Sequence, residues 1–284
     1  MATLLAVVIV FGALGTGLLL AASRPDLPWV LAARSGLAPV ATAVRAAREP
    51  VITRLGRAPG AGYAYVLGIG AVMLVMWPLG VLARGSQALD DRVLTWFEGH
   101  ADGPLTDWMD VLTQIGNRPV TKPVTLIAIV VLFLVRRRRR WVVPVVFLLM
   151  FVTEFAFQNL LEHAVHRADP PTSGGNFPSG GCARVILTYG LIVFFLLRER
   201  RREGRQAVFA WYSVVAAAGV LEAFSRTYLL KHWVTDTVAG LVFGLLLLVT
   251  AMSMVNVLDG AGRLLGREEP IPVPEPAGSL SQQS

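Results

Sequence analysis

Residues 207–257 read AVFAWYSVVAAAGVLEAFSRTYLLKHWVTDTVAGLVFGLLLLVTAMSMVNV. Two apolar runs, about 207–225 and 233–257, flank a short polar segment that holds Ser225, Arg226, Lys231, His232 and Asp236. An apolar run of about 20 residues is what a helix needs to cross ~30 Å of hydrocarbon. A lone strand there would leave its backbone groups unpaired in lipid, so each run is expected to be helical. The polar segment then sits at a span boundary, where both helices present side chains to one side of the membrane.

The rest of the chain repeats the pattern. Apolar runs at about 2–22, 62–83, 119–135, 141–161 and 183–198 bring the expected spans to seven, with 119–135 and 183–198 the short ones. The bulk composition agrees. Of 284 residues, 54% are hydrophobic and 16% charged, and the mean hydropathy is +0.58. A water-soluble domain carries roughly 25% charged residues. Disorder, collagen, coiled coil and disulfide scaffold are excluded. Cys182 is the single cysteine, and no Cys/His spacing suggests a metal, so neither metal nor cofactor is expected. The expected class is an all-α, polytopic transmembrane bundle.

Lys and Arg in the loops set orientation. The segment 23–61, the five-arginine run Arg136 to Arg140 and the cluster Arg198, Arg200, Arg201, Arg202, Arg205 are strongly basic. They belong on the cytoplasmic side. The acidic stretch 84–118, with Asp90, Asp91, Glu98, Asp102, Asp107 and Asp110, belongs opposite, as do 162–182 and 226–232. The N-terminus is then outside and the C-terminus inside, in the plasma membrane. On this reading the net charge of +7 and the pI near 10.3 report topology, and no nucleic-acid partner is expected.

The first run lacks the basic n-region of a signal peptide, and its cleavage would release the basic 23–61 outside, so residues 1–22 are read as a retained helix. Residues 23–61 are a basic linker, with arginines at 45, 48, 54 and 57 spaced for an amphipathic helix on the inner surface. The tail 258–284 is cytoplasmic and, from about 266, rich in Pro, Ser and Gln and expected to be disordered.

Chemistry is expected at the outer span ends. His232 and Asp236 are four apart, so on a first helical turn they share a face, and the carboxylate can bond one ring nitrogen and leave the other free to attack. Arg226 offers a planar fork for phosphate oxygens. The loop before the fifth span reads Gly174-Gly175-Asn176-Phe177-Pro178-Ser179-Gly180-Gly181, a glycine-rich turn at a helix start, where backbone N–H groups favour an anion.

These residues resemble a known family. Ser225-Arg226-x5-His232-x3-Asp236 is similar to the third motif of the type 2 phosphatidic acid phosphatase (PAP2) superfamily, and Phe177-Pro178-Ser179-Gly180 to its second. The acidic stretch from Leu89 to Gly116 also looks like a segment of bacterial members. The resemblance covers about 62–257 and implies a six-helix PAP2-like core preceded by one extra N-terminal transmembrane helix. It implies metal-independent chemistry on a lipid phosphate or diphosphate: His232 attacking phosphorus, Asp236 orienting it, and Ser179, the Gly180 amide, Ser225 and Arg226 holding the phosphoryl group.

The chain departs from the pattern at three positions. The family's second motif ends in a His that protonates the leaving group; here the residue is Gly181. Its first motif is Lys, six residues, Arg-Pro; aligned on Pro170, those cations are Glu162 and Asp169. At ~4 Å and an effective dielectric near 20, one unit charge is worth about 4 kcal/mol, and loss of a general acid removes about 10²–10⁴ in rate. Arg167 or Arg184 could restore positive charge and His166 a proton. Against that, Arg184 could pair with Glu154 or Glu222, and His163 and His166 could be interfacial residues. Two functions stay open: a lipid-phosphate binder with turnover impaired or lost, and an active lipid phosphate or polyprenyl diphosphate phosphatase. Movement of lipid between leaflets is a remoter third, since no broken helix pair is visible.

Overall fold

The computed structural model describes residues 54–99, 104–136, 139–172, 177–199 and 204–260, with a few isolated positions before 54. The expected first span, most of the basic linker and the tail from 261 lie outside the described residues. Within them every regular element is a helix: α1 (Arg57–Gly85), α2 (Gln87–Glu98), α3 (Pro104–Leu112), α4 (Arg118–Val135), α5 (Val142–Val165), α6 (Gly180–Glu199), α7 (Arg205–Tyr228) and α8 (Val234–Asp259).

Six of these, α1 and α4 to α8, are long and apolar enough to cross a membrane. They correspond in order to the runs from 62–83 onward. The short runs at 119–135 and 183–198 gain length by taking in the polar flanks Arg118 and Gly180 to Cys182. The fold is the expected transmembrane helical bundle.

α8 is the organising helix. It lies along α1 and also meets α5, α6 and α7. Its contact with α6 depends on Gly240 and Gly244, one turn apart. A Cβ at either would overlap the α6 backbone, at the Ser179 and Ala183 carbonyls respectively. In lipid, helices gain from such close backbone approach because apolar side chains have no water to escape. α6 is the most buried span. Its turn Val185–Tyr189 is π-helical, which re-aims Tyr189 relative to Arg184. Phe147, Met150, Leu191, Phe195, Phe243 and Leu247 fill the space between the helices.

The acidic stretch 84–118 is not an open loop. α2 shows apolar Val93, Leu94 and Phe97 at helical spacing, and these are buried together with Asp90. Phe97 packs edge-on to Phe224 and Tyr228, and with Met109 of α3 forms a small cluster over the end of α7. Two short helices therefore cap one end of the bundle. The opposite end is tied by Arg136 and Arg198, which both pair with Asp259, the last residue of α8.

Candidate functional site

α5 ends at His166, which adopts the left-handed conformation (φ 46°). That turn sends the next residue, Arg167, back into the bundle. Its guanidinium bonds Gln87 Oε1 (2.8 Å), Thr235 Oγ1 (2.7 Å) and Asp236 Oδ1 (2.6 Å), and pairs with Asp90. Asp90 also accepts from the Thr235 amide (3.2 Å) and hydroxyl (2.6 Å). The Trp233 indole donates to Ala168 O (2.9 Å), and Arg167 lies over its ring. Three separate segments, α2, the 166–172 loop and the start of α8, are fastened through one arginine.

The 177–181 turn joins the same place. The Ser179 amide donates to Asp236 O (2.9 Å), and α6 starts at Gly180. Ser179 is fully buried, and its hydroxyl has no hydrogen-bond partner. His232 stands just before α8, 2% exposed, with Nδ1 unpartnered. Asp236 Oδ2 is unpartnered too. The hydrogen bond expected between imidazole and carboxylate is not formed: Asp236 turns its bonded oxygen to Arg167. Burial lowers the His232 pKa well below its ordinary value, and Arg226 and Arg184 nearby add to the effect. The imidazole is therefore neutral at pH 7, the form with a lone pair to offer.

A second network lies on the other flank. Arg226 bonds Glu222 Oε1 (2.6 Å), four residues back on its own helix, and Asn117 Oδ1 (2.5 Å). The Ser225 hydroxyl donates to Glu222 O (2.9 Å) and stays within α7. Arg184 bonds Glu154 Oε1 (2.9 Å) and Gly116 O (2.9 Å). Gln158 receives a bond from Arg118 (3.3 Å) and a long one from Arg184 (3.4 Å), and it occupies the space a Cβ on Gly180 would need. Gly181 packs its bare Cα against the Arg226 guanidinium, so a Cβ there would overlap it. Gly116 closes the floor against Glu222 and the Gly181 carbonyl.

The remaining sequence candidates stand apart. Glu162 is half-buried on α5, and His163, His166 and Asp169 are exposed. Among the described residues none of them bonds to His232, Arg226 or Arg184. The buried cation of this loop is Arg167, two residues before the position expected from alignment on Pro170. Sequence reasoning passed over Asp90, Thr235 and Gln87 as site residues, and left Asn117 between a head-group contact and an interfacial anchor. Asp90 carried a usable signal: it shares the 90, 93, 94, 97 face with apolar residues, where a charge must find a partner. Among the described residues no cluster of His, Cys, Asp and Glu could hold a metal.

The fold and site together define a helical membrane protein in which the polar ends of α5 to α8 are joined by buried arginine–carboxylate pairs, with a buried, neutral imidazole between α7 and α8. Comparison with known proteins agrees. The model of the PAP2 superfamily matches residues 162–259. Phosphatidylglycerophosphatase B of Bacillus subtilis (strain 168) is 28% identical over 149 residues, which is 50% of this chain and 71% of that protein. The crystal structure of the first transmembrane PAP2 type phosphatidylglycerolphosphate phosphatase from Bacillus subtilis shares the fold, with a TM-score of 0.56 at 22% identity over 70% of this chain and 98% of that one. Residues 162–259 thus match the PAP2 superfamily, and the helical bundle has the fold of a transmembrane PAP2 structure.

Proposed function

We propose that this protein binds the phosphate or diphosphate head group of a membrane lipid at the His232 end of the bundle, with hydrolysis impaired or lost. The loop charges put that end outside the plasma membrane. The observation that carries the reading is the packing of Gly181 against Arg226. Where the family resemblance implies an acid that protonates the leaving group, this chain has no side chain, and a guanidinium fills the space. The other histidines among the described residues, His163 and His166, are exposed.

The charge balance points the same way. Asp90, Glu154, Glu222 and Asp236 stand against Arg118, Arg167, Arg184 and Arg226. By formal charge these are four carboxylates against four arginines, and a phosphate dianion would therefore meet cations of which Arg167, Arg184 and Arg226 are already paired. To bind, it must draw Arg226 or Arg184 away from a carboxylate, which weakens the affinity and makes the arginines poor stabilisers of a transition state.

The second reading, an active phosphatase, is favoured by one observation: the His232 imidazole is neutral, and its Nδ1 is unpartnered. Attack on phosphorus by that ring would require Asp236 to turn Oδ2 towards it, so that the imidazolium formed is stabilised. A diphosphate is the substrate that best tolerates the missing acid, because its leaving phosphate needs less protonation than an alcohol.

The test is phosphate release from a panel of lipid monophosphates and diphosphates by the purified protein, beside His232→Ala, with lipid-phosphate binding measured in parallel. Binding without release is the expected result. Release that disappears in His232→Ala overturns the loss of turnover in favour of the second reading.

A further inference from the structure

α3 (Pro104–Leu112) has three faces. One is held by the protein: Met109 is buried with Phe97 and Tyr228, and the Thr106 hydroxyl meets that of Tyr228 (3.5 Å). A second is acidic and exposed, with Asp107 and Asp110. The third is apolar and just as open: Leu105 is 48% exposed, Trp108 68% and Val111 64%. Residues three apart are neighbours on a helix, so these side chains form one continuous stripe. Three large apolar side chains side by side are costly to leave in water.

Two observations say which way the stripe points. The first is depth. α3 packs on α7 at Tyr228, the last residue of that span. From Arg205 to Tyr228 the helix rises about 35 Å, against ~30 Å of hydrocarbon, so Tyr228 stands at the membrane boundary. Leu221, two turns earlier on α7, is 49% exposed and faces lipid. The second is rotation. Asp110 pairs with Lys231 (3.0 Å), which lies past the end of α7. That pair fixes the acidic face on the side away from the bundle. At about 100° per residue, Leu105 and Trp108 project roughly 140° and 160° from Asp110, back towards the hydrocarbon.

We infer that α3 is an interfacial helix whose partner is the bilayer: it lies in the membrane surface at the His232 end, with Leu105, Trp108 and Val111 among acyl chains and Asp107 and Asp110 in water. The helix carries no Lys or Arg, so apolar burial, and not attraction to anionic head groups, holds it there. Its depth matters to the site. The turn 113–117 continues from α3 without a break, through the bonds of Gln114 N to Val111 O (3.2 Å) and Asn117 N to Gln114 O (3.0 Å). Asn117 then accepts from Arg226 (2.5 Å). Lipid contact along α3 sets the level of this edge of the site against the head groups, whether the site binds a phosphate or turns it over.

Nitroxide labels on Trp108→Cys, Val111→Cys and Asp107→Cys, each in the full chain in phosphatidylcholine nanodiscs, test it by spin relaxation. Cys182 is fully buried, so the wild-type chain serves as the labelling blank. Molecular oxygen, which partitions into hydrocarbon, is expected to relax the labels at 108 and 111 more than a water-soluble nickel chelate does, and the order is expected to reverse at 107. Stronger relaxation by the chelate at all three overturns the inference, because the stripe then faces water. Weak relaxation by both at 108 and 111 overturns it too, because a second copy of the chain then covers the stripe. Oxygen ahead at all three would sink the whole helix into hydrocarbon and overturn its interfacial position. Should the labels disturb folding, Trp108→Phe is the second variant: with phosphatidylcholine brominated near the head group, the lipid-quenched share of tryptophan fluorescence should fall below that of the wild type. An unchanged share overturns the inference.

Discussion

Arg167 and Arg226 are both buried guanidiniums at the end of the bundle that carries His232, and each is held by carboxylates. Their partners differ in kind. Arg167 reaches across the fold: Gln87 and Asp90 come from α2, Thr235 and Asp236 from α8. Arg226 is held mainly by Glu222, one turn away on the same helix. The first arrangement builds the site, because it fixes the first turn of α8 against α2 and the 166–172 loop. The second neutralises a group that the family resemblance assigns to phosphate. One flank of the site is thus a constructed scaffold for the carboxylate beside the imidazole. The other is a pair of arginines, Arg226 and Arg184, closed on the chain's own carboxylates Glu222 and Glu154.

The largest expected effect breaks or upholds that contrast directly. Arg167→Ala leaves Asp90 and Asp236 buried without a cation, and unpairing a buried ion pair costs about 3–5 kcal/mol. Arg226→Ala strands one buried carboxylate where Arg167→Ala strands two, so its expected loss lies at the low end of that range, about 3 kcal/mol. Denaturant unfolding in detergent measures both. Equal losses would mean that the two flanks do the same structural work.

The imidazole gives a second, pH-dependent test. Burial, Arg226 and Arg184 depress its pKa in the folded state, so the folded protein holds His232 neutral while the unfolded chain takes up a proton below about pH 6.5. The unfolded state then binds more protons, and stability falls as pH drops through that value, by up to about 1.4 kcal/mol per pH unit from this one group. It is fully present above pH 6.5. His232→Gln should lose the slope contributed by this residue, so that wild type and variant diverge between pH 7 and 5. Parallel stability curves would show that His232 is not held neutral.

Glu222→Gln sharpens the second flank. Removing that charge frees Arg226 without removing it, and lipid-phosphate affinity should rise about tenfold, ~1.4 kcal/mol. Gly181→His alone should give no gain, because its Cβ meets the Arg226 guanidinium. Together with Glu222→Gln, which lets the arginine move, the added imidazole should restore measurable phosphate release. Release from Gly181→His alone would show that Arg226 is not locked in place.

What the sequence made legible divides along the same line. The helices were readable because membrane spans must satisfy their backbone internally, and six runs correspond in order to six helices. That the 177–181 turn reaches the start of α8, where the Ser179 amide bonds Asp236 O, was readable because both sit at span boundaries on one side. The partner choices were not. Whether Arg226 faces a ligand or Glu222 depends on a carboxylate one turn away, and whether Arg167 or Asp169 turns inward depends on the left-handed residue His166. Asp90 looked like one acid among many in a loop, since the loop's folding into α2 is decided by packing on Phe224 and Tyr228.

The smallest expected effect completes the comparison. Lys231 and Asp110 also form an ion pair at this end of the bundle, at 3.0 Å, but both side chains are open to solvent, 30% and 54% exposed. Water already solvates both charges, and the long Lys231 side chain loses rotamer freedom to meet Asp110, so such a pair contributes about 0–1 kcal/mol and is screened by salt. Lys231→Ala should therefore shift unfolding by less than about 1 kcal/mol and leave lipid-phosphate binding unchanged at 0.15 M salt. It lies one residue from His232, so the contrast with Arg167 is one of burial and connectivity, not of distance along the chain. A loss comparable to that of Arg167→Ala would show that the 229–233 turn, and not the Arg167 network, fixes the position of the imidazole.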